Sequence, residues 1–229
     1  MEDLRTKANR VYQRLLDVYG EPVWRLPLEP LDELVSTILS QNTNDRNRDI
    51  AFNRLREVIP SWEEVRDAPL EKVVDAIRTA GLANQKGPRI QQVLRDITAA
   101  RGTLDLSFLR GMASADVHNW LVQFKGVGPK TAAIVMQFAL GFAAFPVDTH
   151  VYRVTGRIGL RPDKMSVEQA HLHLSDLFVP ETYGPAHLNL IRLGREICHA
   201  RNPQCQVCPV NELCDYYLSL PALSKEQTG

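Results

Sequence analysis

The sequence predicts an all-α fold, and three observations predict it. Apolar residues recur at helical spacing, start and stop signals frame those stretches, and no segment sustains the period-two alternation of a half-buried strand. Leu31, Leu34, Val35, Ile38 and Leu39 fall at i, i+3, i+4, i+7 and i+8, the stripe of a helix that buries one face. Ser61-x-x-Glu64 reads as a capping box that opens another helix. Leu70, Val73, Val74 and Ile77 repeat the helical spacing, with Gly81 beyond them as a stop. Ile90, Val93, Leu94 and Ile97 repeat it again and Gly102 closes that stretch. A second capping box stands at Ser166-x-x-Gln169. Beyond Pro221 the chain turns polar, which predicts a loose tail over residues 219–229.

The chain has 229 residues, enough for one large domain or two small ones around real cores. A hydrophobic share of 44% and a charged share of 24% belong to an ordinary globular protein rather than a disordered one. No run approaches the ~18 consecutive apolar residues of a membrane span. Met1-Glu2-Asp3-Leu4 has neither an apolar signal region nor the acid-free character of a transit peptide, so a cytoplasmic location is expected, on the nucleoid if the source is bacterial. Thiols stay reduced there, and a tight cysteine cluster then points to metal. Basic and acidic residues number 27 each, so net charge neither favours nor excludes a nucleic-acid partner. Locally the picture is more basic. From Arg78 to Arg101 there is one acid, Asp96, and Arg153, Arg157 and Arg161 follow one another with none until Asp163.

The segment from Leu121 to Ala133 has the logic of a helical hairpin. One helix ends near Phe124, Gly126 and Gly128 permit a tight turn with positive φ, and Pro129 suits the first position of the next helix, which continues through Phe138 and Ala139. Exposed amides at that helix start suit a phosphate. A connection that serves packing alone fits the same residues. Lys130 lies in the first turn, where the positive helix end disfavours a cation and leaves the amine available as a nucleophile toward a sugar C1′. A solvated lysine or a plain phosphate contact is the alternative. Asp148 precedes a further apolar-periodic segment, where a carboxylate can cap a helix or assist in acid–base chemistry.

All four cysteines stand in one short segment, Cys198-x6-Cys205-x2-Cys208-x5-Cys214. An all-cysteine zinc site and an iron–sulfur cluster both fit, although zinc ligands usually come as two close pairs and only Cys205 and Cys208 are close here.

Taken together, these strings resemble the endonuclease III family of DNA glycosylases. Gly-Val-Gly-Pro-Lys-Thr-Ala, from Gly126, followed by Val-Asp-Thr-His-Val, from Val147, resembles the family's helix-hairpin-helix and catalytic region, with Lys125 where a proline often stands. The cysteine spacing resembles its [4Fe–4S] loop. Leu39-Ser40-Gln41-Asn42-Thr43 and Gly81-Leu82-Ala83-Asn84-Gln85-Lys86 resemble two segments that enter DNA. By itself Gln41 reads as a helix-end surface residue and Leu82 as helix-end packing.

The resemblance spans residues 28–214 and implies a helix-hairpin-helix glycosylase fold of two helical domains with the active site in the cleft between them. Residues 22–142 would form a six-helix domain, and 1–21 with 143–218 a cluster domain. It implies base excision from duplex DNA with β-elimination lyase activity. Lys130 would be the nucleophile and Asp148 the assisting carboxylate. Cys198, Cys205, Cys208 and Cys214 would hold a [4Fe–4S] cluster. Gln41, Leu82, Lys125, Gly126, Gly128, Arg195 and Arg201 would contact DNA, with His199 flanking the cluster among the basic residues. The expected substrates are oxidised pyrimidines and abasic sites, acted on by a monomer. A monofunctional mismatch, uracil or alkylbase glycosylase, or a DNA-binding scaffold, is the alternative.

Overall fold

A computed structural model describes residues 3–23 and 27–221. Residues 1–2, 24–26 and 222–229, and with them most of the expected tail, lie outside the described residues. Among those described there are twelve α-helices and no strand. The helices are α1 (Leu4–Tyr19), α2 (Pro30–Ser40), α3 (Asp45–Val58), α4 (Trp62–Asp67), α5 (Leu70–Ala76) and α6 (Ala83–Arg101). They continue with α7 (Ser114–Val122), α8 (Pro129–Val135), α9 (Thr149–Ile158), α10 (Val167–Leu177), α11 (Tyr183–Glu196) and α12 (Asp215–Ser219). None is long and apolar enough to cross a membrane among the described residues.

The chain divides into two compact units, one of Leu26–Phe142 and one of Met1–Arg25 with Ala143–Gly229. In the first, α2 is buried on nearly every side, Leu31 and Glu33 through Leu39 included, and packs on α3, α6 and α8. All five residues of its expected stripe are buried, as are Ile90, Val93, Leu94 and Ile97 of α6. Leu70, the first residue of α5, departs from its stripe and is 38% exposed, whereas Val73, Val74 and Ile77 are buried. Gly87 allows α6 to press on α5, since a Cβ there would stand 2.9 Å from Val74 Cγ2.

Both expected capping boxes form, at Ser61–Glu64 and Ser166–Gln169, each satisfying two amides that a helix start leaves open. Gly102 ends α6 at φ +76°. One expectation fails in detail. The helix after Pro129 stays α-helical only to Val135, and Met136–Leu140 widen into a π turn that Gly141 and Phe142 close by donating to the Met136 carbonyl.

The second unit buries one apolar cluster built from α1, α9, α10 and α11, including Val11, Leu15, Val151, Val154, Leu174 and Leu190. Phe145 stacks on Phe178 with ring centroids 4.9 Å apart and meets Tyr183 edge-on at 5.4 Å. These contacts join the residues that enter α9 to the elements that follow it.

Candidate active site

In the unit Leu26–Phe142, three loops meet the first turns of α6. The first is the end of α2, where Gln41 follows the last helical residue and Asn42 takes φ +53°. The second runs through Gly81, at φ +66°, to Leu82, a 47% exposed apolar residue at φ +49°. The third is the hairpin between α7 and α8. Left-handed backbone at a leucine or asparagine is uncommon and persists only where its surroundings enforce it.

Two side chains of α6 tie these loops together. Lys86 is buried to 2% exposure, and its Nζ donates to the Leu39 carbonyl at 2.8 Å, the Ala80 carbonyl at 2.8 Å and Thr43 Oγ1 at 3.1 Å. Arg89 donates to Gln41 Oε1 at 2.7 Å, and Gln41 Nε2 donates to the Gly126 carbonyl at 3.3 Å. Gln41 is thus held between α6 and the hairpin turn, not loose at a helix end. Sequence reasoning gave Lys86 and Arg89 no role, although Lys86, Ile90, Val93, Leu94 and Ile97 form one stripe, which places the lysine on the buried face.

The two hairpin glycines differ. Gly126 takes φ +95°, as expected, and a Cβ there would stand 2.3 Å from Arg89 Cδ. Gly128 is at φ −93° with open space where its Cβ would be, so its expected positive φ is not found, because it already caps α8 with extended backbone. Pro129 opens α8 and Lys130 follows it, partly exposed. Lys125 is exposed beside the turn.

In the other unit, Asp148 is the N-cap of α9. Its Oδ1 accepts from the Val151 amide at 2.7 Å, so the expected cap is present, on a partly exposed side chain. The three arginines that read as a basic stretch are turned to the protein's own carbonyls. Arg153 donates to the carbonyls of Cys198 at 3.0 Å and Gly194 at 2.8 Å, and Arg161 to that of Tyr152 at 2.8 and 2.9 Å. Arg157 donates to the carbonyls of His199 at 2.6 Å and Ala200 at 2.9 Å, and to Cys198 Sγ at 3.4 Å. Arginine's planar fork suits such multiple contacts. The bonds of Arg153 and Arg157 fasten α9 to the cysteine segment, and those of Arg161 hold the chain after α9 against Tyr152. Arg195 and Arg201 are exposed around that segment, and His199 is partly so.

The four cysteines are unpaired thiols that line one cavity, together with Arg157 and Tyr217. Burial pushes the Cys208 thiol up to about 12, and the neighbouring thiols add to this. Cys205 and Cys214 are raised too, again chiefly by burial, while Arg157 opposes the rise at Cys205. Four thiolates gathered in an apolar cavity need positive charge among them, which iron supplies. Four cysteine thiols on one cavity supply one thiolate for each iron of a [4Fe–4S] cluster. The donor set fits an iron–sulfur cluster.

Comparison with known proteins agrees. Residues 35–180 match the HhH-GPD superfamily of base excision DNA repair proteins, and residues 198–214 match the iron–sulfur binding domain of endonuclease III. The endonuclease III of Sulfolobus acidocaldarius is 32% identical over 187 residues, 81% of this chain and 81% of that protein. That of Thermotoga maritima is 32% identical over 189 residues, 82% and 84% of the two chains.

The chain belongs to the endonuclease III family.

A protein of Arabidopsis thaliana named as a DNA glycosylase is 39% identical over 175 residues, and the chain matches 57% of its length. A solved structure of a trapped endonuclease III–DNA covalent intermediate superimposes with a TM-score of 0.80 at 26% identity, over 95% of this chain and 98% of that one. Membership makes this endonuclease III relative a base-excision DNA glycosylase, of a family in which AP-lyase activity is typical, and its iron–sulfur domain carries a [4Fe–4S] cluster.

Proposed function

We propose that this endonuclease III relative excises oxidised pyrimidines from duplex DNA through a covalent step at Lys130 and then cleaves the strand at the resulting abasic site. The observation that carries this reading is the placement of Lys130, in the first turn of α8 directly after the Gly126 turn, in a chain whose Asp148 caps the helix that follows. The Lys130 nitrogen attacks C1′ with its lone pair as the bond from C1′ to the base breaks, and the base leaves with the electron pair and takes a proton from water. Asp148 takes a proton from the attacking amine and stabilises the positive charge that builds on the sugar. Loss of the sugar-ring oxygen from C1′ yields an imine. The imine acidifies the 2′ proton, whose removal expels the 3′ phosphate, and water then releases the lysine.

Cys198, Cys205, Cys208 and Cys214 hold the cluster, which fastens the segment that presents Arg195 and Arg201 to the DNA backbone. Gln41 and Leu82 fill the space that the extruded nucleotide leaves. The enzyme acts as a monomer, wherever the cell keeps its DNA.

The test is a panel of duplexes carrying one thymine glycol, uracil, mismatched thymine or alkylated purine, read for base release and for strand breaks formed without alkali. Fastest release from thymine glycol, with breaks appearing at the same rate, is the expected result. Release confined to uracil, mismatches or alkylated purine, with breaks only after alkali, would contradict it.

A further inference from the structure

The three acceptors of Lys86 belong to the two segments proposed to enter DNA. The Leu39 carbonyl lies in the last turn of α2, where no helical amide reaches it and a cation at the helix end is favourable. Thr43 closes the turn that carries Gln41, and Ala80 immediately precedes Gly81 and Leu82. Thr43 Oγ1 also donates to the Ala80 carbonyl, so the two segments touch each other as well as the lysine. Each of the three ammonium hydrogens has one oxygen, and nothing is left for a substrate. Burial, with the Arg89 guanidinium adding, pushes the Lys86 ammonium down to about 8, so an amine this deep is retained against a solvation cost. Of the three non-glycine residues with positive φ among those described, two, Asn42 and Leu82, stand in these segments. A backbone conformation of that kind needs an outside tie.

We infer that Lys86 is a positioning residue that locks the Gln41 turn and the Leu82 loop into one rigid insert, so that both enter the duplex together when a nucleotide is extruded. The inference rests on the roles proposed for Gln41 and Leu82, but the mechanical coupling does not. Lys86 touches neither base nor sugar. It ties down the two segments that carry the residues that do. Cutting the tie leaves the catalytic groups in place and makes extrusion slower, because the insert must then be ordered at the moment it enters.

The experiment uses the full chain with its cluster and the variant Lys86→Met, which keeps the apolar stem and removes the three donors. Hydrogen exchange of the free protein reads the lock. The expected result is faster exchange in residues 39–44 and 80–85 together, with α9 and α11 unchanged. Single-turnover kinetics read the consequence. Base excision from a paired duplex falls by about 10- to 100-fold, the range a few kcal/mol of extrusion free energy spans, while cleavage of a duplex already abasic changes by less than about threefold.

Unchanged exchange in either segment, or equal losses in excision and abasic cleavage, would overturn the inference. Leu82→Ala separates the two ideas. If it excises normally while Lys86→Met frees both segments, the role of Leu82 fails and the lock stands. If it is slow while Lys86→Met excises normally, the lock has no part in extrusion. Should Lys86→Met not fold, Thr43→Val removes one of the three acceptors and is read in the same two assays. Exchange rising in both segments supports the lock, and exchange rising in only one refutes it.

Discussion

Gly126 and Gly128 are alike in the sequence and unlike in the fold. At Gly126 a side chain meets both a left-handed φ and the Arg89 stem, whereas Gly128 has an ordinary φ and open space. Gly126→Ala is therefore expected to lower stability by about 1–3 kcal/mol, the usual cost of forcing a non-glycine residue into such a conformation. It should also weaken DNA binding by displacing Arg89 from Gln41. Gly128→Ala should unfold within about 0.5 kcal/mol of the parent, as substitutions free of such features do. Urea unfolding of the two variants side by side checks this, and equal losses would refute it. At this scale the turn at Gly126, the helix cap at Asp148 and the gathering of the four cysteines were legible beforehand, whereas the positive φ expected of Gly128 is not found. Lys86 and Arg89 were not legible, because their roles come from acceptors up to 48 residues away in the chain. Only the extension of the α6 stripe back to Lys86 hinted that the lysine is buried.

At the head of α9 one residue caps an element and is also proposed to serve the reaction. Asp148 satisfies the Val151 amide, and the same carboxylate is the proposed catalytic group. Asparagine caps a helix about as well as aspartate does, so Asp148→Asn should keep its melting temperature while excision falls by at least about 100-fold. Asp148→Ala should lose activity and, in addition, about 1 kcal/mol of stability. A melting curve and a single-turnover rate for each variant separate the two roles. If Asp148→Asn excised at the parent rate, the residue would be a cap and nothing more. The elements themselves were legible from apolar spacing at α2 and α6 and from capping boxes at α4 and α10. The π turn after Val135 was not, since Met136–Leu140 carry no proline or glycine to break the helix. Nor was the use of Arg153, Arg157 and Arg161, because a run of arginines looks the same in sequence whether it faces phosphate or the protein's own carbonyls.

At the scale of the whole molecule, α-class architecture, family membership and the iron–sulfur domain follow from motifs spread between residues 28 and 214. Each unit has its own core, and the second is continued from α1 to the cysteine segment, whose Val210 and Leu213 join it beside short 3-10 turns at Cys205–Val207 and Asn211–Leu213. A bound cluster adds to that packing in holding so short a segment. Substrate choice is the least legible property, since it depends on contacts to a base that neither motif nor spacing encodes.

The central claim is that Lys130 bonds covalently to the sugar, and borohydride trapping tests it most directly. The parent enzyme and Lys130→Ala are each incubated with a thymine-glycol duplex and an abasic duplex, and the reduced adduct is mapped by peptide mass. An adduct is expected on both duplexes, located at Lys130 and absent from the variant. An adduct formed by Lys130→Ala as readily as by the parent, or one mapped to another lysine, would contradict it.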